Sequence, residues 1–104
     1  LNYSVFKRMK KSSIIVNTAR GGIINEIDLE KALNEDLIFA AGLDVFSSEP
    51  IEKNNPLLKN KKVILSPHSA TFTKECTVNM GTQTVQNVID FFENNLNELM
   101  VVKL

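Results

Sequence analysis

Four polar side chains in this 104-residue chain are of types that do chemistry: Arg20 in NTARGG, Asp44 in GLDVF, Glu49 in SSEP and His68 in SPHSA. A guanidinium grips a carboxylate through two parallel hydrogen bonds, and its charge does not depend on pH. His68 is the sole histidine, the side chain whose ordinary titration lies close enough to neutrality to give and take back a proton. A carboxylate beside it, such as Glu49, would favour the imidazolium and fix the tautomer. Asp44 lies in an apolar stretch, so it is expected to be partly buried and paired, with backbone donors or with a ligand amide. Each residue also has a structural reading. Arg20 can satisfy carbonyls near a turn, with Gly21 and Gly22 serving a backbone conformation that a side chain would hinder. Glu49 before Pro50 can be an exposed turn residue, and a lone histidine is more often structural than catalytic.

The elements that carry these residues are legible from pattern. SIIVNT, AAGLDVF and KVILS are short runs rich in β-branched residues and closed by turn chemistry, which reads as strands. Their continuous apolar character suits a parallel sheet covered on both faces. Between the first two, Asn25 is placed to cap a helix with Asp28 three residues on. Leu29, Ala32 and Leu33 supply its apolar face, and it ends near Asn34. After the third strand, Val78, Val85, Val88, Ile89 and Phe92 recur at helical spacing, with Thr71 or Thr73 as the cap. This stripe, with Met80, is expected to be core, and Gly81 within it to mark a close approach by a neighbouring element. Residues 47 to 62, with Pro50 and Pro56, read as a polar surface connection.

The order βαβ, then β, then a long helix predicts an α/β fold, in which ligands bind beyond the carboxyl ends of the strands. Arg20, Asp44, Glu49 and His68 all fall at or just past such ends. Four titratable or charged groups at three strand ends favour one shared site.

Composition narrows the function classes. Twelve Lys and Arg balance twelve Asp and Glu, with no long block of one sign, so a nucleic-acid or anionic-lipid grip is not indicated. The cluster KRMKK, from Lys7 to Lys11, reads as the solvated face of a short helix. Cys76 stands alone, which excludes an internal disulfide and suits a reducing cytoplasm, and it is expected to be a buried structural thiol. No apolar stretch approaches the roughly 20 residues of a membrane span. The chain opens on Leu1 without the apolar core of a secretory signal, and a cropped beginning is the simplest expectation.

At the candidate residues the chain also resembles a known family. MKKSSIIVNTARGGIINEIDLEKALNEDLIFAAGLDVFSSEP, followed by NPLL, KVILSPHSA and TKE, is similar to the carboxyl-terminal part of D-isomer-specific 2-hydroxyacid dehydrogenases, over nearly the whole chain. The resemblance implies the second half of a Rossmann-type parallel sheet flanked by helices, a fragment of a larger two-domain enzyme. It implies that Arg20 holds the substrate carboxylate and polarises the adjacent carbonyl, that His68 exchanges a proton with the carbonyl oxygen, and that Glu49 hydrogen-bonds His68. By the same matching Asp44 faces the nicotinamide carboxamide, while Thr18 and Ala19 line the nicotinamide pocket. The implied cofactor is NAD or NADP, with NAD favoured, the substrate a small 2-hydroxy or 2-oxo acid, and the intact protein a cytoplasmic homodimer without a metal. The family's G-x-G-x-x-G turn does not occur in these residues, nor does most of the substrate domain. The 104 residues alone are therefore expected to be inactive or nearly so. The alternative is a noncatalytic remnant or interaction module of the same fold.

Overall fold

The computed structural model describes residues 1 to 97 together with 101 and 102. In chain order the elements are α1 (Tyr3–Phe6), β1 (Ile14–Asn17), a 3-10 turn (Gly21–Ile23), α2 (Glu26–Asn34), β2 (Ala40–Leu43), a second 3-10 turn (Pro56–Lys59), β3 (Val63–Leu65) and α3 (Lys74–Phe92). They fall into two compact units, Leu1–Ala70 and Thr71–Leu104.

The first unit is built on a parallel sheet of order β1-β2-β3. Ile15 pairs with Ala41, and Gly42 with Ile64. Side chains alternate across a pleat, so Ile15, Ala41 and Leu43 turn to one face, where they join Phe6, Ile24, Leu29, Leu33 and Leu57 in a single buried cluster. Within this unit the opposite face carries no covering layer. Ile14 is 61% exposed, Val16 69% and Ile64 79%, against the expectation of strands buried on both sides. Within the unit α2 supplies a layer on one side, and a continuous apolar run records only that a strand can be covered twice.

Helix α2 begins where its sequence says it should. The Asn25 side chain accepts from the Asp28 amide at 3.0 Å, and Glu26 and Asp28 occupy the first turn, where carboxylates complement the helix dipole. Leu29, Ala32 and Leu33 are fully buried. At the far end, Lys62 Nζ donates to the Leu33 carbonyl at 2.6 Å and forms an ion pair with Asp36, so a cation closes the helix at its negative pole. The basic cluster expected on a short helix instead follows one: α1 ends at Phe6 and Lys7 is its C-cap. The stretch 47 to 62 is likewise more than a polar connection, because Asn55 caps the second 3-10 turn and Leu57 within it is 1% exposed.

In the second unit Thr73, rather than Thr71, caps α3, its hydroxyl accepting from the Cys76 amide at 3.1 Å. No residue of α3 is buried, contrary to the expectation that Val78, Met80, Val85, Val88, Ile89 and Phe92 form core. A single helix has nothing in its own unit to pack against. For the same reason Cys76 is partly exposed rather than buried, and no atom would approach a side chain at Gly81. Replacing Leu33 by alanine, which leaves a cavity under α2, is expected to cost about 2–5 kcal/mol of stability. Met80→Ala on α3 is expected to cost less than about 0.5 kcal/mol. Urea denaturation of the two variants beside the parent chain measures both.

Candidate active site

The carboxyl end of β1 is shaped by Asn17. This residue occupies an inward position of the strand and is 5% exposed. Its Oδ1 accepts from the Ala19 amide at 3.1 Å and its Nδ2 donates to the Arg20 carbonyl at 2.9 Å, so one amide satisfies both sides of the turn. Thr18, Ala19 and Arg20 are thereby presented to solvent at the sheet edge. Arg20 Nη1 donates to the Ala19 carbonyl at 2.6 Å. Gly21 follows, and a Cβ there would lie 2.0 Å from both the carbonyl carbon and the oxygen of Phe46. The glycine is required by this backbone approach rather than by a positive φ, since no glycine has one. Gly22 carries no such constraint, having open space around its Cβ position.

Past β2, Glu49 and His68 meet. The His68 Nδ1 lies 2.7 Å from Glu49 Oε2, and Glu49 Oε1 accepts from the Phe46 amide at 3.0 Å. With Nδ1 facing the carboxylate, Nε2 is the nitrogen left for proton exchange with another molecule. The pair is half open to solvent, with side-chain exposures of 45% for His68 and 37% for Glu49. The hydrogen bond from His68, then that from the Phe46 amide, holds the Glu49 carboxyl below the usual carboxylate range; the positive charge of Arg20 adds to the same effect. A pocket of about 230 Å3, lined by Phe46, Glu49, Pro50, Ile51, Pro67 and His68, adjoins the dyad.

Asp44 is 3% exposed. Of the two pairings open to it from sequence, the structure shows donors of the chain itself: Ser66 Oγ at 2.5 Å and the Ser69 amide at 2.8 Å on Oδ1, and the Ala70 amide at 2.8 Å on Oδ2. The Ser66 hydroxyl, then the Ser69 amide, draws its pKa below the ordinary aspartate range, against the opposing effect of burial. The loop bearing Glu49 has its own anchor. Glu26, at the start of α2, accepts from the Ser47 amide at 2.6 Å and from Asn55 Nδ2 at 2.8 Å.

Glu49 and His68 are thus in direct contact, and Asp44 holds the loop that carries His68; Thr18, Ala19 and Arg20 stand at the end of β1, with the Arg20 side chain bonded to the Ala19 carbonyl rather than to the dyad. Asn17, Glu26 and Ser66 are supporting residues that the sequence reading did not single out. Asn17 had a signal, a polar side chain at an inward position of a strand. Glu26 and Ser66 had none, because their partners lie 21 and 22 residues away.

Comparison with known proteins adds a separate line of observation. The profile of the D-isomer-specific 2-hydroxyacid dehydrogenase NAD-binding domain matches residues 1–70. The chain is 43% identical to a glyoxylate reductase of Aeropyrum pernix, over 97% of this chain and 31% of that protein. It is 41% identical to a glyoxylate/hydroxypyruvate reductase B of Cronobacter sakazakii, over 89% of this chain and 29% of that protein. The chain thus spans about a third of the length of these relatives. Among solved structures it is similar to the D-lactate dehydrogenase of Lactobacillus jensenii with NAD+, with a TM-score of 0.72 and 28% identity over 99% of this chain and 35% of that one. A D-isomer-specific 2-hydroxyacid dehydrogenase from Xanthobacter autotrophicus with NADPH and MES gives a TM-score of 0.79 at 27% identity, over 97% and 41%.

Two outcomes follow for the fold of this edge. Gly21→Ala drives a methyl group into the Phe46 backbone and is expected to destabilise the chain by about 3 kcal/mol, read by urea denaturation. Asp44 and Glu49 have folded-state pKa values below their ordinary ones. Their contributions to stability are therefore complete above the unfolded carboxylate range, about pH 4, and disappear as pH falls through the lowered folded values. The stability gap between the parent chain and Asp44→Asn is expected to be largest at neutral pH and to close on acidification; a gap that stays constant contradicts the assignment.

Proposed function

The chain belongs to the D-isomer-specific 2-hydroxyacid dehydrogenase family, in its NAD-binding domain, and from that premise we propose that it is the catalytic edge of an enzyme that interconverts a small 2-oxo acid and the D-2-hydroxy acid. The observation that carries the proposal is the 2.7 Å contact between His68 and Glu49, on an edge that also carries Arg20. In the reduction, the guanidinium of Arg20 takes the substrate carboxylate and draws electron density from the adjacent carbonyl. His68 gives the proton on Nε2 to the carbonyl oxygen as that oxygen becomes negative, and Glu49 holds the ring and stabilises its charged form. In the oxidation the neutral ring takes the hydroxyl proton back. A bound nicotinamide coenzyme supplies or receives the hydride. The names of the relatives point to glyoxylate or hydroxypyruvate as the oxo acid.

The residues present fit part of such a coenzyme. Thr18 and Ala19 stand exposed at the end of β1, and the Asp44 carboxylate takes three donors where a carboxylate has about four acceptor positions. One remains for a carboxamide. Contacts to the pyrophosphate and ribose are assigned to polypeptide that these 104 residues do not include, along with the other wall of the cleft. Among the described residues no helix is long and apolar enough to cross a membrane. A cytoplasmic homodimer belongs to the same proposal. The competing reading, a noncatalytic module, gives no reason for an imidazole and a carboxylate to be paired beside an arginine.

The test is complementation. Joined to the coenzyme-binding half of a family enzyme, the chain is expected to oxidise NADH or NADPH in the presence of glyoxylate. His68→Ala is expected to lower that rate by a factor of about 100 to 10,000, the usual share of a general acid. Arg20→Lys, which keeps charge but loses the fork, is expected chiefly to raise KM. A folded assembly that binds coenzyme but shows no His68-dependent turnover overturns the proposal, and turnover by the 104 residues alone would show that no missing half is needed.

A further inference from the structure

The arch that carries His68 is held in an unusual way. It leaves the sheet after the Ser66 amide donates to the Leu43 carbonyl at 3.0 Å, and Pro67 then brings no N–H of its own. His68 adopts a φ of 53°, the left-handed region that non-glycine residues seldom hold without support. Its side chain is nearly half exposed, so packing alone does not fix the ring.

The three donors that bracket His68 all converge on one carboxylate. Ser66 Oγ, two residues before it, and the Ser69 amide, one after, share Asp44 Oδ1, while the Ala70 amide takes Oδ2. Hydrogen bonds to an ionised acceptor are the stronger kind. An amide in place of the carboxylate would turn an NH2 group toward one of these N–H donors. The Ser66 hydroxyl is the one donor of the three supplied by a side chain, and it shares Oδ1 with the Ser69 amide.

We propose that Ser66 and Asp44 form a positioning pair that fixes the backbone of residues 66 to 70 and thereby aims the His68 imidazole at Glu49. The catalytic meaning of this pair rests on the role given to His68 above, but the geometry does not. Asp44 performs this work in the chain by itself, before any coenzyme arrives, in addition to whatever its remaining acceptor position binds. Ser66 is the positioning residue of the pair, its hydroxyl bonded to Asp44 and its influence carried through His68. A threonine at 66 carries the same hydroxyl, so it should serve; an alanine should not.

Imidazole nitrogen–proton correlation spectra of the 104-residue chain at neutral pH provide the test, since they need neither substrate nor turnover. The parent chain is expected to show a slowly exchanging Nδ1–H of His68 and protected amides at Ser69 and Ala70. In Ser66→Ala that exchange is expected to quicken about tenfold, the factor that one net hydrogen bond is worth, with the amides of β1 and β2 unchanged. Ser66→Thr is expected to restore the parent behaviour. An Nδ1–H that keeps its exchange rate in Ser66→Ala, or that is missing from the parent chain, overturns the proposal. Should Ser66→Ala fail to fold, the parent chain decides: Ser69 and Ala70 amides exchanging as fast as an open loop overturn it, and protection matching that of the sheet supports it. Failed complementation would sink the dehydrogenase reading while leaving these spectra, and the positioning pair, untouched.

Discussion

Where parallel strands stop together, the polar backbone of the loops leaving them loses its ladder partners, and a buried edge cannot leave such groups unpaired. In this chain that requirement is met by one polar residue at each strand end. Asn17 is the last residue of β1, Asp44 follows β2 and Ser66 follows β3. Asn17 closes its own turn onto Ala19 and Arg20. Asp44 donates its amide to the Asn17 carbonyl at 3.0 Å and gathers the loop beyond β3. The first two loops are therefore joined backbone to backbone and the last two side chain to backbone, and the residues suited to chemistry ride on those ties.

The electrostatics follow from the same arrangement. Asp44 and Glu49 are both held in their charged forms by donors of the chain, one deep at the strand end and the other half open. Positive charge stands at Arg20 and, when protonated, at His68. Formal charges of both signs thus lie at the strand ends of a chain whose overall balance is twelve against twelve. The His68 ring, with 45% of its side chain exposed, is open to exchange with solvent at this edge.

Features encoded locally were the ones legible in the sequence. The Asn25 cap with Asp28, the buried face Leu29, Ala32 and Leu33, and the stop at Asn34 depend on residues within a few positions of one another, and all stand as read. Each strand was found, the first and third trimmed by one residue at each end and the second ending at Leu43 rather than Phe46. The strand-end rule placed Arg20, Asp44, Glu49 and His68 on one edge because topology, rather than side-chain detail, decides that. What periodicity cannot say is who covers an apolar face. The stripe on α3 and the outward residues Ile14, Val16 and Ile64 have the composition of core and the exposure of surface. Gly21 looked like a conformational glycine and proved to be a steric one, since its neighbour Phe46 is distant in sequence.

That steric contact also limits how this edge can be rebuilt. With the Gly21 and Phe46 backbones touching, and Glu26 gripping the very next amide, the path from Asp44 to Ser47 has no slack for an added residue. Beyond it, Glu52, Lys53 and Asn54 are exposed and lie ahead of the turn that buries Leu57. Length variation or a grafted peptide is accommodated at that tip, where the chain can bulge into solvent without dragging the dyad out of register.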